Sequence, residues 1–227
     1  MRILAIDIGG TNVKCAMRDK EAVKIPSGTT MTPKLMVESV MNATADWNFD
    51  AVAIGYPGPV ANGGPALEPH NLAHGWVGYD FAAGFGKPVR ITNDAAMQAL
   101  GSYDGGRMLF LGLGTGLGTA MVCEKMLIPL ELAHLPYKKG KSYEDYVGVR
   151  ALEKKGKARW LKSVKDVVKR LKAAMCCDYV VLGGGNAKKL KEMPEGARMG
   201  NNANAFLGGY RLWEGFGDGA CSSGSAN

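Results

Sequence analysis

Two glycine-rich turns, each set between short apolar strands and lying about a hundred residues apart, constrain this chain more than any other feature. The first is Asp7-Ile8-Gly9-Gly10-Thr11-Asn12, with Lys14 just beyond it; the second runs from Gly112 through Gly114, Thr115, Gly116 and Gly118 to Thr119. Glycine loses more backbone freedom on folding than any other residue, so alternating glycines in one turn need a reason. Close approach of backbone N–H groups to phosphate oxygens is one such reason, and an acid at a strand end, as at Asp7, suits Mg²⁺ or its waters. A plain glycine-rich hairpin explains either turn alone, but the recurrence of the device is harder to explain that way. Neither turn ends in Gly-Lys-Ser/Thr, and neither opens a helix in the dinucleotide-binding manner. A third close-approach site, or else a helix-entry turn, is Gly183-Gly184-Gly185-Asn186.

Around these turns the pattern is that of a mixed α/β protein. Strands are expected at Ile3 to Ile8, Val13 to Met17, Ala22 to Ile25, Ala51 to Ile54, Val89 to Thr92, Met108 to Leu113, Thr119 to Cys123 and Tyr179 to Leu182. Helical spacing marks Lys34 to Ala45, Ala95 to Leu100, Tyr143 to Lys155, Ala158 to Cys176 and Ala203 to Trp213. Tyr56 to Phe85 reads as loops. The restart at Met108 divides the chain into an expected first domain, 1–103, and a second, 104–213, with the C-terminal helix packing on the first. Residues 214–227 are small and polar and read as a flexible tail.

Asn93-Asp94 ends the Val89 strand. Its carboxylate either caps the following helix or serves as a proton acceptor at a cleft. Glu131 and His134 lie one turn apart, suited to vicinal sugar hydroxyls or, more plainly, to a surface acid beside a partly buried imidazole. Zinc at His134 is not expected, because no cysteine lies between Cys123 and Cys176. Five scattered cysteines suit a reducing compartment, the apolar N-terminus is broken by Asp7 too early for a signal peptide, and no apolar run is long enough to span a bilayer. A cytoplasmic protein is expected. The net charge of +7 is concentrated, since Lys138 to Lys172 holds 13 Lys or Arg against four Asp or Glu. That segment is either a solvated face or a seat for a polyanion.

Taken together these segments resemble the ROK family of sugar kinases, within the actin/hexokinase/Hsp70 superfamily. The resemblance runs from Met1 to about Trp213. It implies two RNase-H-like, actin-like ATPase domains with the active site in the cleft between them. It implies donor contacts from Asp7, Gly9, Gly10, Thr11, Asn12, Lys14, Gly114, Thr115, Gly116, Gly184 and Gly185, with Mg²⁺ near Asp7. It further implies sugar contacts from Gly58 of the Gly55-Tyr56-Pro57-Gly58-Pro59 motif, from Asn93, Asp94, Glu131 and His134, and from Asn71, with Asp94 as catalytic base for the 6-hydroxyl of glucose or a related hexose. The His/Cys zinc motif and the glutamate that usually follows it are missing, and with Gly-Gly-Gly-Asn-Ala-Lys188-Lys189 this is similar to the polyphosphate glucokinase branch. Polyphosphate, ATP or both are thus the implied donors, and a homodimer the implied assembly. A kinase for another hexose or amino sugar, a non-catalytic sugar sensor and an actin-like filament protein are the rival readings; nucleic acid is not an expected partner.

Overall fold

The computed structural model of the chain describes residues 1–201 and 203–216. All six residues of β1 (Ile3–Ile8) are buried, and a strand with two apolar faces belongs inside a sheet covered on both sides. β2 (Asn12–Met17) returns antiparallel to it, and the charged, largely exposed β3 (Lys20–Pro26) forms the edge. α1 (Pro33–Ala43) begins where Thr32 Oγ1 accepts the Leu35 N–H at 3.2 Å and Pro33 takes the first helical position. β4 (Ala51–Tyr56) pairs in parallel with β1. After the short α2 (Phe81–Phe85), which lies within the stretch expected as loops, β5 (Val89–Asn93) pairs in parallel with β4. The sheet order is β3-β2-β1-β4-β5.

α3 (Asp94–Ser102) leads into a second sheet of the same design: β6 (Arg107–Leu113), β7 (Leu117–Cys123), β8 (Met126–Leu130), β9 (Tyr179–Gly183) and β10 (Ala197–Met199), ordered β8-β7-β6-β9-β10. β8 and β10 were not expected from the sequence. β8 contains Pro129, which only an edge strand tolerates, and β10 is three residues long with two of them exposed. The helical stretch expected from Tyr143 to Lys155 divides into α4 (Glu144–Val147) and α5 (Val149–Lys155) at Gly148, where a methyl group would lie 2.9 Å from the Thr115 carbonyl oxygen. α6 (Lys157–Ala174) buries Trp160, Val164, Val167, Val168 and Leu171 at helical spacing against the second sheet and leaves its basic face to solvent.

α3 and α7 (Asn204–Arg211) fill the space between the facing sides of the two sheets. One buried cluster joins Ala5, Ala51 and Ala53 of the first sheet to Met108, Phe110 and Ala120 of the second through Met97 and Leu100 of α3 and Ala205 and Tyr210 of α7. The two helices touch backbone to backbone. A methyl group at Gly208 would lie 1.8 Å from the Met97 carbonyl oxygen, and one at Gly101 1.8 Å from that of Asn204. The chain stays packed past α7: Glu214 pairs with Arg18 at 2.5 Å, and Phe216 lies under the Arg211 guanidinium. The start of the expected tail is therefore held; residues 217–227 lie outside the described residues.

Candidate active site

Strand register alone brings three of the motifs to one edge. Asp7 of β1 pairs with Gly55 of β4, Gly55 with Thr92 of β5, and Tyr56 with Asn93. The carboxyl ends of parallel strands in an open α/β sheet form the usual ligand crevice. In the second sheet Gly112 of β6 pairs with both Gly118 and Gly183, so the second and third glycine turns share one end as well. α3 joins the two edges, since a methyl group at Gly118 would meet the Ala95 Cβ at 2.7 Å and one at Gly55 the Asp94 Cα at 3.5 Å.

The helix cap is Asn93, not Asp94. Asn93 Oδ1 accepts from the N–H groups of Ala95 and Ala96 at 2.9 and 3.2 Å, and its Nδ2 donates to the Gly58 carbonyl at 3.0 Å. This ties the Gly55 to Pro59 motif to the start of α3 and leaves the Asn93 amide a single N–H for any ligand. Asp94 is therefore not the cap residue, although its Oδ1 shares the Ala95 N–H at 2.7 Å. Burial pushes its carboxyl up to about 7, the negative charge of Asp7 adds to the shift, and the Ala95 backbone N–H opposes it. Glu131 contributes a further, smaller upward push, which places the acid of the Glu131/His134 pair on the same site.

Asp7 is nearly buried, and directly opposite it across the β1–β2 ladder Lys14 donates from Nζ to Oδ2 at 3.0 Å. The first turn is closed by Gly9 N–H to the Asn12 carbonyl and by Ser27 Oγ to the Gly9 carbonyl, leaving Thr11 exposed. Asn71 lies over Gly10, where a methyl group would meet its Cβ at 2.9 Å. Glu68 fixes that loop by accepting the backbone N–H groups of Trp76 and Val77 at 3.1 and 3.2 Å. Glu131 opens a three-residue 3₁₀ turn that ends at the exposed His134. Thr119 holds the turn, donating to the Leu130 carbonyl at 2.7 Å and accepting the Leu132 N–H at 3.1 Å.

The glycines of the second and third turns divide into two kinds. Gly184 is required by its surroundings: φ is +80° and a methyl group would lie 2.5 Å from the Leu113 carbonyl oxygen; at Gly116 a methyl group would meet only the end of the Glu144 side chain, at 2.1 Å from Oε2. Gly114 and Gly185 face open space. Asn186 locks the two turns together, with its N–H on the Leu113 carbonyl at 2.8 Å and its Nδ2 on the Gly114 carbonyl at 2.9 Å. The third turn enters only a single 3₁₀ turn at Ala187–Lys189, where the sequence suggested a longer helix.

Sequence reasoning missed Glu144. Its Oε2 accepts the Leu117 N–H at 3.2 Å, so a carboxylate from the far side of the Leu135 to Ser142 hairpin stands at the second turn. Only an acid at a helix start was visible, a position that the helix dipole explains by itself. Among the described residues no group of three or more His, Cys, Asp or Glu side chains could hold a metal, and no helix is long and apolar enough to cross a membrane.

The chain is similar to known proteins in sequence and in fold. The chain is 28% identical over 211 residues to a polyphosphate glucokinase of Mycobacterium leprae, covering 83% of this chain and 64% of that protein, so it spans just under two thirds of that relative's length. It is also 31% identical over 144 residues to an N-acetylmannosamine kinase of Salmonella newport, covering 56% of this chain and 50% of that protein. Among solved structures, an inorganic polyphosphate/ATP-glucomannokinase from Arthrobacter sp. strain KM superposes with a TM-score of 0.78 at 22% identity, covering 94% of this chain and 99% of that one. The ROK family model matches residues 3–129, more than half of the sequence, and with the two matching five-stranded sheets and their shared glycine-turn edges it identifies this chain as a member of the ROK family.

Proposed function

We propose that this chain is a sugar kinase that transfers a phosphoryl group from polyphosphate, ATP or both to the 6-hydroxyl of a hexose, glucose before others. The observation that carries the reading is Asp94. It is a carboxyl group with a pKa of about 7 at the shared strand edge, next to the cap residue Asn93 and standing between the two phosphate-type turns. A general base works best when its pKa lies near the working pH. The names of the relatives support the same chemistry, and the N-acetylmannosamine kinase similarity supports an amino sugar as the alternative acceptor.

In this reading residues 1–103 and 104–213 are two domains whose closure excludes water, so that the sugar rather than solvent is phosphorylated. The sugar lies among Asn71, Asn93, Asp94, Glu131 and His134, with the Gly58 backbone beneath and Glu144 supplying a further acid. The donor phosphates lie along the first turn and over Gly114 and Gly185, which face open space, with Thr115 between the second turn's glycines. The 6-hydroxyl oxygen bonds to the terminal phosphorus as the bond to the leaving phosphate oxygen breaks, and the hydroxyl proton passes to Asp94. Asp7, at the end of β1 beside the first turn, is a single carboxylate of the kind that holds Mg²⁺ directly or through water when phosphates and water complete its shell, so it fits the ion and leaves Asp94 free to take the proton. The ion would neutralise phosphate charge, and Lys14 would take part of that load. The four described cysteines are unpaired, in keeping with a cytoplasmic protein; a homodimer is the assembly we expect.

Purified protein is to be given Mg²⁺ and either glucose or N-acetylmannosamine, with ATP and polyphosphate in separate reactions. Glucose 6-phosphate is the expected main product. Faster turnover of the amino sugar would reassign the acceptor, and no product from folded protein with either donor would reject the kinase reading.

A further inference from the structure

Beside α6, away from the sheet edges just described, lies a groove of about 700 Å³. Lys165, Lys169 and Lys172 form one wall, Met193, Pro194 and Glu195 the other, and Cys176 and Cys177 close one end. The lysines sit at i, i+4 and i+7, on one face of the helix, and span about 10 Å. Lys165 pairs with Glu192 at 3.5 Å with both side chains more than half exposed, a weak and easily exchanged contact. Lys169 and Lys172 have no ion pair among the described residues, and Lys172 Nζ lies over Gly196, where a methyl group would be 2.3 Å away. Glu195 is the one acid lining the groove.

The wall opposite the lysines continues the third glycine turn. It leaves the donor edge at Asn186, which is bonded to Gly114, carries the exposed Lys188, Lys189 and Lys191, and reaches Gly196, whose carbonyl accepts the Val180 N–H at the start of β9. It therefore runs the length of β9, about 15 Å at the rise of a strand. A ligand held at Gly114 and Gly185 that continued in this direction would meet Lys188 and Lys191, then Lys165, Lys169 and Lys172. Such a ligand must be long, linear and polyanionic. The groove contains no aromatic side chain on which a base could stack, which favours a bare phosphate chain over single-stranded nucleic acid.

We infer that this groove is a track for the distal part of a linear polyphosphate chain whose reacting end lies at the second and third glycine turns. The inference rests on the kinase reading for the reacting end but not for binding in the groove. The test compares wild type with the triple variant Lys165→Gln, Lys169→Gln, Lys172→Gln, which keeps most of each side chain while removing the charge. Long-chain polyphosphate and tripolyphosphate binding are measured by calorimetry, and glucose phosphorylation with each and with ATP by product assay.

The expected result is that the variant loses about tenfold or more in long-chain affinity and kcat/KM, more at low salt than at high. Tripolyphosphate and ATP reactions should be unchanged, because those donors end before the track. Equal long-chain parameters for variant and wild type would overturn the track while leaving the kinase reading intact. Equal losses with every donor would also overturn it, since the effect would not depend on chain length. Wild type that binds long chains through these lysines but phosphorylates no sugar would sink the kinase reading and keep the track. Tighter binding of a single-stranded RNA than of polyphosphate at equal phosphate would reassign the groove to nucleic acid.

Discussion

Burial of the Asp94 carboxyl beside Asp7 works against its charged form. Its raised pKa means that between about pH 4 and pH 7 the folded protein keeps a proton that the unfolded chain has lost. Stability therefore falls as pH rises through that window, and the full penalty is present above it. Asp94→Asn should thus be more stable than wild type at pH 8, by about 1–3 kcal/mol, with the advantage gone near pH 4. Denaturant titration at the two pH values checks both. If Asp94 is the base, kcat/KM of wild type should climb with pH and level off above about 7, as its carboxyl loses its proton. A rate flat from pH 5 to 8 would remove the role. Asp94 was legible in the sequence as one of two alternatives, cap or base. The side-chain geometry shows Asn93 as the cap, holding the Ala95 and Ala96 N–H groups, with Asp94 sharing only the first of them.

Two devices among the elements carry the site, and neither could be read from local pattern. In the α3–α7 contact, methyl groups at 101 and 208 would each stand 1.8 Å from a backbone oxygen that cannot step aside. Gly208→Ala should therefore cost about 3 kcal/mol, near the top of the range for overpacking, and lower Tm by several degrees. A control with open space around it, Gly64→Ala, has nothing within 4 Å and should be near neutral. The second device fastens the Leu135 to Ser142 hairpin, which separates Glu131 and His134 from Glu144. Asp166 of α6 accepts from the Tyr137 hydroxyl, from Lys138 Nζ at 2.8 Å and from Arg170 Nε at 2.9 Å, while Tyr137 stacks on Tyr143 at 4.8 Å. The Lys138 ammonium and the Tyr137 hydroxyl hold the Asp166 carboxyl well below the usual range. Asp166→Ala should cost about 1 kcal/mol, the group being a third exposed, and should raise KM for the sugar more than it lowers kcat. A lowered kcat at unchanged KM would show that the hairpin does not position the sugar acids. In the sequence these residues formed only part of a basic segment, because the contacts between them span 4 to 29 residues and only the Asp166–Arg170 pair falls at helical spacing.

For the molecule as a whole, the repeated strand-turn-strand pattern was enough to expect two similar α/β halves, and the two sheets have the same strand order. The packing of the C-terminal helix on the first half was expected; its backbone contact with α3, which joins the two halves, was not. The inner face of the first sheet is lined by Ala5, Ala51 and Ala53, residues small enough for α7 to lie close, with Gly209 at 2.8 Å from the Ala5 Cβ for an added methyl. A helix at the end of the chain thus completes the layer between the sheets, on the same framework that sets Asp94 between the turns. We propose that this framework presents Asp94 to a hexose hydroxyl opposite a phosphate donor. The most direct test is glucose 6-phosphate formation by wild type and Asp94→Asn with Mg²⁺, using polyphosphate and ATP in parallel and checking glucose binding to both proteins. The prediction is product from wild type with at least one donor, and a loss of about 10²-fold or more in turnover in the variant with glucose binding retained. Near-wild-type turnover in Asp94→Asn, or none in folded wild type, would contradict it.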